Sequence, residues 1–319
     1  MPFAVLRELS AAEFRSGEAI AARLAISRAS VHNAVNEARA LGVEIHAVRG
    51  RGYRLGRPFD WLDCARMQQE GRAANFKVDC VDQVDSTNSR LLAMAAGPDM
   101  HRRVLVTEWQ SAGRGRRGRR WLAAPGDSLT FSVLWRFQRP LTALSGLSLA
   151  VGLALWRVLR GFGLGGLSLK WPNDLLLDEG KLAGILIETQ GDVLSGATAV
   201  IGIGLNVRAR LALRAEAAQP LAALADRMPE VPTRSELMLS LLESLDSVLS
   251  RFDATGFAPF VDEWIEAQAW TGRSVELVEA GDVRYSGILV GVDALGQLII
   301  DTPAGRRTIH SGELSLRPA

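Results

Sequence analysis

The sequence predicts an α+β chain built as three successive units, and three patterns carry that expectation. Residues 1–57 show three short helical periods and then a strand pair joined by a Gly-rich turn. Residues 60–270 interleave helical runs with strand-like runs, and one helix, 144–159, is apolar nearly all round, as a helix buried against a sheet must be. From residue 272 the pattern changes to short strands separated by turn signals, about 48 residues that suggest a small antiparallel barrel over 271–319.

In the first unit, helices are expected at 3–11 and 17–24. Ser27 caps a third, with an apolar face of Ala29, Val31, Ala34, Val35 and Ala38 that ends before Gly42. The tight turn at 25–27 makes this a helix-turn-helix pattern. The third helix exposes Arg28, Ser30, His32, Asn33 and Asn36, polar and cationic groups of the kind that reach base edges and phosphates. A strand at 43–48 leads through Arg49-Gly50-Arg51-Gly52 to a return at 53–55, a hairpin placed like the wing of a winged helix-turn-helix. Nine arginines against five glutamates give residues 1–57 a local charge of +4. Ser27, Arg28, Ser30, His32, Asn33, Asn36, Arg49 and Arg51 are the candidate DNA-binding residues. A generic three-helix docking domain fits the same pattern.

Gly56-Arg57-Pro58 reads as a linker. A helix at 60–69 and a strand at 76–84 follow. Asp85-Ser86-Thr87-Asn88 then stands before a helical run at 90–96, where these residues either cap the helix or turn hydroxyls and amides toward a polar ligand. Strands are expected at 103–109 and 129–135, separated by a loop that Gln110 opens. A strand at 167–171 runs through Pro172-Asn173-Asp174 and is continued by 175–177. Residues 178–180 turn and 182–188 return, which places Lys181 at the start of a buried strand. Another central strand, 198–205, ends at Asn206, and 208–220 reads as a mobile loop. Thr233 and Glu236 form a capping box for a helix that aligns Leu237, Leu241, Leu245, Val248 and Phe252. A last helix is expected at 257–267, and the third unit has turns at 280–282 and 304–305.

The 319 residues are 48% apolar and 23% charged, the composition of a globular protein. A net charge of +2 supplies no global field toward nucleic acid or membrane. Cys64 and Cys80 fit neither a disulfide framework nor a metal motif, so a reducing, cytoplasmic setting is expected. No secretory signal is evident. The longest charge-free stretch, 140–156, falls short of the ~20 residues of a membrane span, so no membrane role is expected. Of 37 basic residues only Lys77, Lys170 and Lys181 are lysines, and the last two lie within twelve positions of each other. A lysine in an arginine-dominated chain marks a place where a compact ammonium is wanted.

The chemistry centres on residues 113–121, Gly-Arg-Gly-Arg-Arg-Gly-Arg-Arg-Trp. Such a loop has almost nothing to bury and calls for an anion. Two Gly-x-Gly-x-x-Gly patterns, beginning at Gly113 and Gly161, lack the strand-turn-helix setting of a dinucleotide fold. There is no Walker A sequence, the His and Cys residues are too scattered for a zinc site, and no Ser/His/Asp triad suggests itself. No resident metal site is expected.

The arginine loop, Lys-Trp-Pro-Asn-Asp at 170–174, Lys-Leu-Ala-Gly-Ile-Leu at 181–186, Asp-Ser-Thr-Asn at 85–88 and Gly-x-Asn at 204–206 stand in the order found in the biotin protein ligase family, which the chain resembles. With the winged helix, all 319 residues resemble its bifunctional bacterial members, which also repress the biotin operon. The resemblance implies a class II synthetase-like mixed sheet in the centre and an SH3-like barrel at the end. It implies that biotin attacks ATP, supplied as Mg-ATP, to form biotinyl-5′-AMP, and that a lysine of a biotin carboxyl carrier protein then takes the biotin. Ser86, Thr87, Asn88, Gln110, Arg114, Gly115, Arg116, Trp121 and Lys181 would hold biotin. Arg116, Arg117, Asn173, Asp174 and Asn206 would hold ATP, and Lys181, Arg116 and Arg114 would carry catalysis. The loop would be disordered until it folds over the ligand. Adenylate binding would favour a homodimer on operator DNA. Ala123 departs from the serine often found there in the family. A biotin-sensing repressor without catalysis and a lipoate ligase are the alternatives. Lys181 and the intact arginine loop argue against the first, and the arginine loop against the second.

Overall fold

The computed structural model describes residues 1–191, 196–209, 211–217, 219–279, 282–310 and 314–319. The chain begins with α1 (Pro2–Arg7), α2 (Gly17–Leu24) and α3 (Arg28–Ala40), then β1 (Ile45–Val48) and β2 (Gly52–Leu55). The first helix stops four residues earlier than its apolar pattern suggests. Ser10 Oγ accepts from the Ala12 amide at 3.0 Å, a local bond that competes with the helix. Ser16 caps α2, Ala25 closes it at φ 52°, and Ser27 caps α3 by accepting from the Ser30 amide. Val31, Ala34, Val35 and Ala38 bury one face of α3 against Phe3, Leu6 and Ile20 in a small core of its own. Gly52, at φ 101°, lets the wing touch Arg15: a Cβ there would lie 2.0 Å from the Arg15 carbonyl oxygen.

The central unit contains α4 (Cys64–Ala73), β3 (Lys77–Val84), α5 (Thr87–Met94), β4 (Arg103–Gln110), β5 (Ser128–Pro140), α6 (Leu147–Gly161), β6 (Leu167–Lys170), β7 (Asp174–Leu177), β8 (Gly180–Gln190), β9 (Gly196–Asn206), α7 (Leu211–Glu216), α8 (Arg234–Thr255) and α9 (Val261–Ala267). Its seven strands form one mixed sheet in the order β3-β4-β5-β9-β8-β7-β6, with β3 and β4 parallel and the other pairs antiparallel. The helices α6 and α8 cover one face, and α5 lies on the other. The capping box at Thr233 and Glu236 forms as expected.

Two expectations are corrected here. Residues 175–177 do not continue β6. The chain reverses at Trp171-Pro172-Asn173, whose first peptide bond is cis, and β7 pairs antiparallel with β6. Residues 208–220 are not all loop, since α7 occupies Leu211–Glu216; positions 210 and 218 lie outside the described residues. The apolar stretch Leu141–Gly161, 21 residues, is by length and composition alone long and apolar enough to cross a membrane. In this fold, nine side chains of α6 are spent on the core between the sheet and α8.

The C-terminal unit is a five-stranded antiparallel sheet of β10 (Ser274–Glu279), β11 (Asp282–Val292), β12 (Leu298–Thr302), β13 (Gly305–Ile309) and β14 (Ser315–Pro318), ordered β13-β12-β11-β10-β14. Of the turn expected at 280–282, positions 280 and 281 lie outside the described residues. The buried side chains Val275, Leu277, Leu289, Leu298, Ile300 and Leu316 belong to the same core as the central sheet. The winged helix instead meets the centre through a narrow contact. Arg7 forms a two-pronged ion pair with Asp82 at 2.6 and 2.8 Å and stacks on Trp61, while Phe59, Trp61 and Trp109 rest against the N-terminal core.

Candidate active site

The α5 side of the sheet is a floor from which side chains have been removed. In β9, Ile201, Ile203 and Leu205 enter the main core, so Gly202 and Gly204 face the other way. A Cβ on Gly204 would stand 2.4 Å from the Trp121 indole, and one on Gly202 would stand 2.3 Å from Asn88 Oδ1. Gly184 in β8 does the same for Lys181, whose Nζ would lie 3.0 Å from a Cβ there. Beside this floor, Ser86 caps α5, and the first turn of that helix presents Thr87 and Asn88, all three buried. The Thr87 amide and hydroxyl both donate to Gln110 Oε1, at 2.7 and 3.1 Å. Ser132 Oγ lies 2.6 Å from both Thr87 Oγ1 and Asn88 Oδ1. Asn88 Nδ2 donates to the Leu186 carbonyl at 3.1 Å and to Glu188 Oε2 at 2.9 Å. Both side-chain amides thus have their orientation set by the network around them.

The arginine loop is a small hairpin. The Trp121 amide donates to Gly113 O at 2.9 Å, and the Gly115 amide to Arg119 O at 2.7 Å. Its tip turns through Arg117 at φ 60° and Gly118 at φ 69°. The hairpin lies over the floor and divides the space in two. An inner pocket is bounded by the α5 turn, Gln110, Arg114 and the glycine floor. An outer cleft is bounded by Arg117, Arg119, Lys170, Asp174 and Asn206, and by Leu314 and Ser315 of the C-terminal unit. Gly115, Arg116, Trp121, Asn173 and Lys181 belong to both walls.

The shared wall is held by polar contacts. Lys181 Nζ is 2.6 Å from Asp174 Oδ1, with the two side chains 17% and 12% exposed. Arg116 Nη1 donates to Asn173 Oδ1 at 3.1 Å, and Asn173 Nδ2 donates to Ile185 O at 2.8 Å. Burial lowers the Arg116 pKa, Arg117 and Arg119 add to this, and Asp174 opposes it. Burial also lowers the Lys170 pKa; Asp174 offsets this, and nearby Lys181, Arg317 and Arg119 reinforce it. Asn206 is buried, and its Nδ2 is spent on the carbonyls of Lys181 and Ala222, at 3.2 and 3.1 Å. It therefore braces the strand that carries Lys181. A cluster of cations around two joined chambers can draw two anions together and keep water from what they form.

A family model described as the biotin/lipoate A/B protein ligase family matches residues 80–206, one for an HTH domain matches 3–54, and one for the biotin protein ligase C terminal domain matches 271–317. The bifunctional ligase/repressors of Salmonella typhimurium and Escherichia coli are each 34% identical over 319 residues, covering 100% of this chain and 98% of theirs. The chain belongs to the biotin protein ligase family. Among solved structures, the Aquifex aeolicus biotin protein ligase in complex with biotin and ATP superposes with a TM-score of 0.64 at 29% identity, covering 76% of this ligase and 99% of that one.

In this ligase the residues read from sequence at 86–88, 110, 114–117, 121, 173–174, 181 and 206 all line one chamber or the other. Sequence reasoning missed Ser132, Glu188 and Gly202. A signal was available only for Gly202, which alternates with the core residues Ile201 and Ile203 in β9. Position 123 contributes its carbonyl, which accepts from Trp109 Nε1 at 3.1 Å, so the side chain there is not what this bond uses.

The ligase's winged helix exposes Ser27, Arg28, His32, Asn33 and Asn36, and half-buries Ser30. His32 is fixed between Tyr53 Oη, 3.3 Å from Nδ1, and Asn36 Nδ2, 3.0 Å from Nε2. Arg49 and Arg51 both stand exposed on the wing, and Arg51 also lies over the Phe14 ring at 4.6 Å.

Proposed function

We propose that this ligase activates biotin with Mg-ATP and transfers it to a lysine of a biotin carboxyl carrier protein. The observation that carries the reading is the wall common to the two chambers. Biotin fits the inner pocket, with its ureido ring toward Ser86, Thr87, Asn88 and Gln110 and its apolar body along Trp121. ATP fits the outer cleft, near Arg117, Asn173 and Asp174, with Asp174 and the phosphates supplying the hard oxygen donors that Mg²⁺ prefers. The carboxylate and the α-phosphate then meet at Arg116 and Lys181. A carboxylate oxygen attacks the α-phosphorus, pyrophosphate leaves, and biotinyl-5′-AMP remains. The carrier amine next attacks the anhydride carbonyl, AMP leaves, and the amine sheds its proton. Arg116 and Arg114 neutralise the anions, and Lys181 follows the charge as it passes from carboxylate to phosphate.

We assign residues 1–57 to operator binding, 60–270 to biotin and ATP, and 271–319 to the C-terminal unit. The adenylate-bound ligase acts as a homodimer that represses biotin synthesis, in the cytoplasm where ATP and the carrier are found. The full-length relatives are named ligase/repressors, whereas the 35% identical relative from Paracoccus denitrificans, which covers 73% of this chain, is named a biotin–[acetyl-CoA-carboxylase] ligase alone.

Incubation with biotin, Mg-ATP and a carrier domain, read by mass spectrometry, tests the reading; neither adenylate nor biotinylated carrier appearing would overturn it. Lys181→Ala should lower the rate of adenylate formation by roughly 10²–10³-fold while the N-terminal unit stays folded. Lys181→Arg should not restore it, because a planar guanidinium cannot follow the moving charge as a compact, flexible ammonium does. A non-catalytic, biotin-sensing repressor would be indifferent to both changes in turnover.

A further inference from the structure

We propose that Glu188 is the latch of the arginine loop, a positioning residue that sets how long biotin and its adenylate stay in the inner pocket. The proposal rests on the ligase reading of that pocket and adds to it a residue that neither touches ATP nor enters the chemistry.

Three distant positions meet at one atom. Glu188 Oε2 accepts from Asn88 Nδ2 at 2.9 Å and from Arg114 Nη2 at 2.7 Å. Asn88 belongs to the first turn of α5, which forms one side of the pocket, and Arg114 is the first arginine of the hairpin that covers it. Arg114 also bridges to Arg120 across the hairpin, so a hold on Arg114 is a hold on both of its arms. Strand β8 therefore carries a floor residue, Gly184, near its start and the latch near its end, both on the side facing α5.

The exposure of the pair decides between a latch and a strut. Arg114 is 43% and Glu188 26% exposed. An ion pair this wet exchanges readily with water and shifts an equilibrium by up to about fivefold. The contrast lies elsewhere in the same molecule, where Arg234 and Glu108 pair at 0% and 3% exposure. That pair cannot part without stranding a buried charge. The Arg114–Glu188 pair can part, and when it does, water reaches the anhydride. Attack on its carbonyl carbon then releases biotin and AMP.

Two variants of the full-chain protein test this. Glu188→Ala removes both contacts, and Glu188→Gln keeps an acceptor for Asn88 while removing the charge that Arg114 meets. Limited trypsin cleavage at the arginines of 114–120, without ligand, reads the opening of the hairpin. Loss of preformed biotinyl-5′-AMP from the enzyme reads retention. In Glu188→Ala both rates should rise about fivefold and KM for biotin should rise with them, with kcat for adenylate formation within about twofold of the parent. Glu188→Gln should fall between. Unchanged cleavage, unchanged retention, or a fall in kcat at constant KM would each overturn the proposal. A parent protein that makes no adenylate would sink the ligase reading instead, and the trypsin comparison would still report on the latch.

Discussion

At the scale of single residues, the site is shaped as much by what is missing as by what is present. Gly184, Gly202 and Gly204 leave room for Lys181, Asn88 and Trp121, and no side-chain chemistry announces them. Gly204→Ala should push the indole off the strand and raise KM for biotin by roughly 10–100-fold with unchanged far-UV circular dichroism; an unaltered KM would show that Trp121 does not cover biotin. Charged and motif-bearing residues were legible in the sequence because their types are chemically committed: Lys181 and the arginines 114, 116 and 117 need anions wherever they fall. Ser132 and Glu188 were not legible. A serine in a strand and a glutamate near its end have many ordinary uses, and only the fold brings them to Asn88 and Arg114.

At the scale of elements, caps and turns were read well and reversals less well. Ser27, Ser86 and Thr233 cap helices as their types suggest, since each side-chain oxygen satisfies an amide that the helix leaves unpaired. The reversal at Trp171-Pro172-Asn173 was hidden because the leucine-rich runs 167–169 and 175–177 carry the same strand pattern, so β6 and β7 read as one strand. The wing is where an element-level prediction belongs. Arg49 and Arg51 are both exposed on the β1–β2 hairpin, but Arg51 is also stacked on Phe14, so they should not be equal partners of DNA. Arg49→Ala should reduce the slope of log affinity against log salt by about 1 without altering sequence preference, and Arg51→Ala should reduce it less. Equal slopes for both variants and the parent, measured by fluorescence anisotropy on operator DNA, would remove the wing from the interface.

At the scale of the whole molecule, the three units read from sequence are not equally independent. Changes of pattern along the chain show where one kind of structure gives way to another, but not whether the cores beneath are joined. The winged helix has its own buried cluster, whereas the C-terminal sheet shares one with the centre. Removal of residues 1–57 should therefore leave a folded protein that still forms adenylate. Removal of 271–319 should uncover Trp171, whose Nε1 donates to Gly296 O, together with Leu149 beside Gly296 and Ile265 beside Gly291, and give insoluble or unfolded material. A soluble, cooperatively melting product of the second truncation would refute the shared core.

The narrow seam at Arg7, Trp61 and Trp109 gives the molecule a replaceable head. Trp109 sits between Glu108, buried in the clamp with Arg234, and Gln110, which holds the α5 turn. A foreign DNA-reading module grafted at residue 57 would have to match only a short aromatic step and the Asp82 carboxylate. Such a chimera would carry a different DNA-reading specificity on an unaltered ligase.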